Sequence, residues 1–290
     1  MNRKVTPVCL AVFCINLLIN ISAFAQSSER SDLKSFGYAP VNGQKIYYEI
    51  YGEGKPLLLL HGAYMTIGMN WEQLIPELSK TRKVIALELQ GHGHTSLGKR
   101  PFAYDSFADD VAKTLAYLKV DSTDVVGYSF GGTIAYKLVI KNPKLVNKLV
   151  IISSTYKRLG WQKEARDIFQ SMKPDFLNNT PLKTEYIKIA PDPAEWDVFV
   201  KKMIEFDQKD FDLGDQNISS IKSAVLLISG DNDGVDKPML MDTYKRLGGC
   251  TFADMNGTPQ SQLAILPGQG HVSLMMQTSQ ILLLLHSFLK

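Results

Sequence analysis

The stretch Val125-Val126-Gly127-Tyr128-Ser129-Phe130-Gly131-Gly132 constrains this chain more than any other. An apolar run with the character of a buried strand ends in Gly-x-Ser-x-Gly, and helix-compatible sequence from Thr133 to Ile140 follows at once. A serine in that setting has to occupy a strained turn so that its hydroxyl projects from the end of a sheet. Small neighbours must then let the flanking backbone pass closely. Gly127, Gly131 and Gly132 supply that room. Five residues of this pattern weigh little alone, so their meaning depends on the rest of the chain.

The flanking sequence alternates strands and helices. Phe36 to Val41 and Lys45 to Tyr51 read as two strands joined at Asn42-Gly43, the strongest short hairpin signal. Leu57 to Leu60 is wholly apolar, as in a strand covered on both faces of a parallel sheet, and it ends in His61-Gly62-Ala63-Tyr64. The pattern then predicts a helix from about Asn70 to Lys80 and a strand from Lys83 to Leu89. A loop through Gly91-His92-Gly93-His94-Thr95 leads to a helix from Ser106 to Leu118, capped by Asp105 or Ser106. The Asp124 to Tyr128 strand, a helix to about Lys141 and a strand from Lys148 to Ser153 come next. Such alternation implies right-handed crossovers and a mainly parallel sheet. It resumes with a strand at Ala224 to Ser229, a helix from about Pro238 to Leu247 and a strand at Gln262 to Leu266. A terminal helix from His271 or Val272 to Leu289 closes the chain.

Between these halves, residues 154–220 break the pattern. They are richer in charged and aromatic side chains, with helical segments expected at Trp161 to Met172 and Pro193 to Asp207. This stretch reads as a helical lid inserted in a core made of residues 35–153 and 221–290, because a long structureless loop is improbable in a compact protein.

The first 25 residues stand apart. Arg3 and Lys4 precede an apolar run from Val8 to Phe24, and Ala23-Phe24-Ala25 has the small-x-small form of a cleavage site, which reads as a secretory signal peptide. Residues 26–34 read as a flexible polar segment. An exported, periplasmic or extracellular protein without stable membrane insertion is the expectation. Removing the leader takes two of the 32 Lys plus Arg and none of the 29 Asp plus Glu, leaving 30 against 29 and a net charge of +1. That balance gives no reason to expect a nucleic-acid partner. Cys9 and Cys14 leave with the leader, so no intramolecular disulfide is expected, and Cys250 reads as a partly buried small side chain.

Three residue groups fall at carboxyl ends of strands, where open α/β sheets build their sites. Ser129 follows one strand, Gly230-Asp231-Asn232-Asp233 another, and Pro267-Gly268-Gln269-Gly270-His271 the last. With the His61-Gly62 turn and the Gly91-His92-Gly93 loop, this Ser, Asp, His order resembles the α/β-hydrolase fold family over essentially the whole chain after the leader. The resemblance implies an α/β fold with a mainly parallel central sheet, an initial antiparallel hairpin and a helical lid. It implies Ser129 as nucleophile and His271 as the base that takes its proton. The carboxylate orienting the imidazole is then Asp233, which lies three residues after the strand-ending glycine, with Asp231 as the alternative. The oxyanion donors would be the backbone N–H groups of Ala63 and Phe130, with Tyr64 as fallback for the first.

The remaining histidines have structural readings. His61 is expected to order the loop after its strand, and His92 and His94 to order theirs. Two histidines at i, i+2 without further ligands make a poor zinc pattern, so no metal is expected, and no cofactor. The glycines at 91 and 93 lack the spacing and acidic partner of a dinucleotide site. A serine in the elbow excludes the aspartate-nucleophile branches of this fold. What remains is acyl transfer to water, with a carboxylic ester as the commonest substrate and C–C bond, thioester or lactone hydrolysis as alternatives. A non-catalytic ligand-binding protein is the reading from another class. Trp161, Phe169, Phe176, Tyr186, Trp196, Phe199 and Phe206 in the lid point to an apolar or aromatic acyl substrate, or else to packing of lid on core.

Overall fold

The computed structural model describes residues 33–290, so the leader and most of the segment before Lys34 lie outside the described residues. Leu33 and Lys34 belong to the first strand, which begins earlier than the flexible-segment reading placed it. Eight strands form one sheet: β1 (Leu33–Val41), β2 (Gln44–Tyr51), β3 (Lys55–Leu60), β4 (Arg82–Glu88), β5 (Thr123–Tyr128), β6 (Val146–Ile152), β7 (Ala224–Gly230) and β8 (Gln262–Leu266). Their spatial order is β1-β2-β4-β3-β5-β6-β7-β8. β1 pairs antiparallel with β2 and β2 antiparallel with β4, and every pairing from β4 through β8 is parallel. The Asn42-Gly43 turn has both residues at positive φ, 52° and 74°, which matches the twist of a two-residue hairpin.

The helices are α1 (Ile67–Trp71), α2 (Ile75–Leu78), α3 (Tyr104–Tyr117), α4 (Phe130–Lys141), α5 (Lys163–Ser171), α6 (Pro181–Ile189), α7 (Trp196–Asp207), α8 (Asp215–Ser219), α9 (Lys237–Arg246), α10 (Ala253–Asn256), α11 (His271–Met275) and α12 (Thr278–Phe288). Period-2 alternation along the central strands splits the core in two. Leu58, Leu60, Ile85, Leu87, Val125, Leu149 and Leu227 face α3 and α4, where Phe107, Leu115, Ile134 and Leu138 meet them. Leu57, Leu59, Val84, Val126, Val150 and Ile228 face the other way, onto Trp71, Leu78, Ile281 and Leu285. Burial on both faces is why these strands read as unbroken apolar runs.

Several expectations need correction. The single helix expected at Asn70 to Lys80 is two short ones, because Pro76 has no N–H to continue the helix and instead sits in the first turn of α2. α3 starts at Tyr104 behind Ala103, not at an Asp105 or Ser106 cap; Asp105 lies in the first turn, where it pairs with Lys137 and Lys141 of α4. The terminal helix is divided at Met276-Gln277. Cys250 is exposed, at φ 59°, not partly buried.

Residues 154–220 are mostly helical and lie between β6 and β7. They include α6, which the sequence pattern did not reveal, and Trp161 precedes α5 in an isolated bridge to Val235 instead of opening it. The side chains of α7 join one half of the core without a break. Phe206 meets Phe130 at 5.9 Å, Phe107 at 5.9 Å and Tyr104 at 4.9 Å between ring centroids.

Candidate active site

The turn between β5 and α4 holds Ser129 at φ 52° and ψ −117°, a conformation that L-residues seldom adopt unless the surroundings enforce it. The enforcement is visible. The Ser129 amide donates to the Ile152 carbonyl of β6 at 2.9 Å, and its carbonyl accepts from Gly132 at 2.9 Å. A Cβ on Gly127 would lie 2.5 Å from the Gly131 carbonyl oxygen, and one on Gly131 would overlap the Leu60 carbonyl, so both positions require glycine for α4 to start this close to the sheet.

Ser129 Oγ lies 2.9 Å from His271 Nε2, at the start of α11, and His271 Nδ1 lies 2.9 Å from Asp233 Oδ1 in the loop after β7. Asp233 is fully buried. Its Oδ1 also accepts from the Val235 amide at 3.2 Å, and its Oδ2 accepts from the Ser153 hydroxyl and, at 3.4 Å, from Ser229 Oγ. Burial alone would raise the Asp233 pKa. The adjacent His271, the Ser153 hydroxyl and the Val235 amide outweigh it and hold the carboxyl well below the usual range. Asp231 is exposed and instead closes a turn, accepting from the Gln269 amide at 3.0 Å and from Asn232 Nδ2 at 2.8 Å. The imidazole is flanked by Tyr128, stacked at 5.3 Å, and by Trp161, edge-on at 5.5 Å, while the Tyr128 hydroxyl donates to the His271 carbonyl at 3.0 Å.

The loop after β3 is pinned on both sides of Ala63. The Gly62 amide donates to Asn70 Oδ1 at 2.8 Å, and the Tyr64 amide to His92 Nε2 at 3.1 Å. Tyr64 therefore has no free N–H, whereas the amides of Ala63 and Phe130 take no hydrogen-bond partner among the described residues. His92 accepts at Nε2, so its proton is on Nδ1, facing the Gln90 carbonyl at 3.1 Å. His61 does the same with the Leu89 amide at Nε2 and the Gly62 carbonyl at Nδ1. Burial pushes both pKa values down and keeps both rings neutral, so they work as hydrogen-bonded ties between the two loops. His94 meets Glu88 at 2.8 Å.

Above Ser129 lies a cavity of about 200 Å³. Of the seven aromatics singled out between residues 154 and 220, Trp161, Phe169, Phe176 and Phe206 line it. Tyr186, Trp196 and Phe199 instead pack on one another, with Tyr186 stacked on Phe199 at 5.2 Å, so the aromatic signal divides between pocket and packing. The sequence pattern missed Ser153, Asn70 and Asp207. A signal for Ser153 was present, since it directly follows β6 as Ser129 directly follows the neighbouring β5, whose last residue pairs with Ile152.

A Ser–His–Asp relay at strand ends, with a pinned loop beside it and this strand order, decides the fold assignment. The chain is an α/β-hydrolase fold protein. Residues 55–195 match the family model described as alpha/beta hydrolase fold. The 2-hydroxymuconate semialdehyde hydrolase of Pseudomonas sp. (strain CF600) is 38% identical over 109 residues, which cover 36% of this chain and 38% of that protein. The meta-cleavage product hydrolase CumD of Pseudomonas fluorescens IP01 superposes with a TM-score of 0.70 at 19% identity, covering 89% of this chain and 97% of that one. A carboxylesterase structure from Nitrososphaera gargenis superposes with a TM-score of 0.68 at 21% identity over 88% of this chain and 97% of its own. Among the described residues no helix of this chain is long and apolar enough to cross a membrane.

Proposed function

We propose that this protein is a serine hydrolase cleaving carboxylic esters, or closely related acyl compounds, through a covalent acyl-enzyme. The observation that carries the proposal is the continuous relay Ser129 Oγ, His271 Nε2, His271 Nδ1, Asp233 Oδ1, with both contacts at 2.9 Å, on the floor of a largely apolar cavity. A serine hydroxyl is a poor nucleophile at neutral pH, so attack on a carbonyl needs a base in contact with Oγ, and His271 occupies that position. As Oγ bonds to the carbonyl carbon, its proton passes to Nε2, and buried Asp233 stabilises the resulting imidazolium through Nδ1. The carbonyl oxygen becomes an oxyanion, for which the unpartnered Ala63 and Phe130 amides are the available donors; one such donor is worth ~10²- to 10³-fold in rate. Collapse expels the alcohol with the proton from Nε2. Water activated by the same imidazole then releases the acid and frees Ser129.

The second reading, hydrolysis of a C–C bond, is favoured by the 38% identity of one segment to a semialdehyde hydrolase. It uses the same nucleophile and differs in the leaving group. A fluorophosphonate probe tests what the readings share, with Ser129 labelling in the native protein and none in Ser129→Ala. A panel of p-nitrophenyl esters, one lactone, one thioester and one vinylogous 1,5-diketone separates them by kcat/KM. Absence of labelling, together with esterase activity that survives Ser129→Ala, would overturn the proposal. Export is part of it, on the pattern of residues 1–25, and fractionation of cells producing the full chain tests that part.

A further inference from the structure

The cavity is not apolar throughout. Asp207 at the end of α7 and Arg158 after β6 line it, together with Tyr64 from the loop after β3. The Tyr64 hydroxyl donates to Asp207 Oδ2 at 3.3 Å, and Arg158 Nη1 donates to the Asp207 backbone carbonyl while its guanidinium lies 5.2 Å above the Phe169 ring. Among the described residues Asp207 Oδ1 has no hydrogen-bond partner, and neither do Nε and Nη2 of Arg158. None of these atoms is sealed into the core as an orphan. An acceptor and a donor thus stand unused on one wall of a cavity that Phe206, Phe211, Ile168 and Met172 also line. Such groups cost free energy unless a bound molecule or water satisfies them.

Resting on the serine hydrolase reading, we propose that Asp207 and Arg158 form a specificity subsite that selects substrates whose apolar body carries an uncharged hydroxyl group. The hydroxyl donates its proton to Asp207 Oδ1 and accepts from the free face of Arg158. A carboxylate on the same body would meet the Asp207 carboxyl, and an ammonium would meet Arg158 and the nearby Lys209. A purely hydrocarbon body leaves both groups unpaired. Asp207 Oδ1 offers an acceptor and Arg158 offers donors side by side, so a group able both to donate and to accept pairs with both. Burial pushes the Asp207 pKa up to about 7 against the lowering effects of Tyr64 and Arg158, the direction expected for a carboxyl partly withdrawn from water.

The test uses three matched p-nitrophenyl esters, of 3-phenylpropionic, 3-(4-hydroxyphenyl)propionic and 3-(4-carboxyphenyl)propionic acid. In the native protein kcat/KM should be highest for the hydroxyphenyl ester and lowest for the carboxyphenyl ester. At about pH 8, where Asp207 is ionised, the hydroxyphenyl-to-phenyl ratio should fall about tenfold to a hundredfold in Asp207→Leu, the worth of a hydrogen bond to a charged group. Asp207→Asn, which keeps an acceptor oxygen and loses the charge, should retain the hydroxyl preference and lose most discrimination against the carboxylate. Thermal unfolding of both variants checks that they fold, and the Asn variant carries the test if the Leu variant does not. Calorimetric binding of the three methyl esters to Ser129→Ala reads the same preference without turnover, so failure of the subsite is separable from failure of the hydrolase reading. Equal ratios in native protein and Asp207→Leu, or a native preference for the carboxyphenyl ester, would overturn the inference.

Discussion

The strand-end site and the helical segment above it are built on opposite principles. At the strand ends, groups are fixed by hydrogen bonds with little freedom. Asp233 has four donors around it, Ser129 is locked at a positive φ between β5 and β6, and the loop after β3 is tied at Gly62 and Tyr64. In residues 154–220, position is set by aromatic packing, as with Tyr186, Trp196 and Phe199, and several helices start without a side-chain cap. Hydrogen-bond networks tolerate no displaced partner, whereas packed rings tolerate changes that keep volume. The two regions should therefore fail differently, the first in chemistry and the second in stability and selectivity.

The largest expected contrast is Ser129→Ala or His271→Ala, each of which should lower kcat/KM on a short p-nitrophenyl ester at least ~10⁴-fold, with an unchanged melting temperature for Ser129→Ala. A similar loss from a substitution in residues 154–220 would break the comparison. Next comes Asp233→Asn, expected to lower kcat ~10⁴-fold by losing control of the imidazole tautomer. Asp231→Asn should leave kcat within a few-fold, because Asp231 bonds to Gly268, Gln269 and Asn232 and not to His271. The reverse ranking would show that the hydrogen bonds here do not report function. Phe199→Ala should cost about 3–5 kcal/mol in denaturant unfolding, since the ring is buried between Tyr186, Trp196 and Tyr64. Ser153→Ala removes one donor from Asp233, so the carboxyl pKa should rise and kcat fall ~10-fold, the scale of a hydrogen bond to a charged group.

The helical segment carries a pH dependence of its own. Asp207 holds its proton up to about pH 7 in the folded protein, against about 4 in an unfolded chain. Between those values the folded state binds more protons than the unfolded one, so stability falls as pH rises through the window. Asp207→Asn removes that loss. Its melting temperature relative to the native protein should be higher at pH 8 than at pH 5, and an identical offset at both would refute the sign.

Much of the fold was legible because its signals are local. Leu57 to Leu60 and Val125 to Tyr128 announce strands by continuous apolarity, Asn42-Gly43 announces a hairpin by its φ requirement, and Gly127 and Gly131 announce an elbow by leaving room. The helix Pro181–Ile189 was hidden because only Leu182 and Tyr186 of its residues are buried, too few to make a periodic stripe. The division at Pro76 was written in the chain and outweighed by the apolar spacing around it.

Alone, the sequence determined which residue types are present, in what order and at which strand ends, because alternation, turn propensity and steric room act over a few neighbouring residues. It did not decide between Asp231 and Asp233 as the carboxylate within reach of His271, or between Ala63 and Tyr64 as the residue with a free amide. It also could not divide the aromatics between pocket and packing. Those outcomes depend on Ser153, His92, Asn70 and α7 approaching from distant parts of the chain, and a hydrogen bond exists only when its two ends come within about 3 Å. Only the folding of the sheet brings them that close.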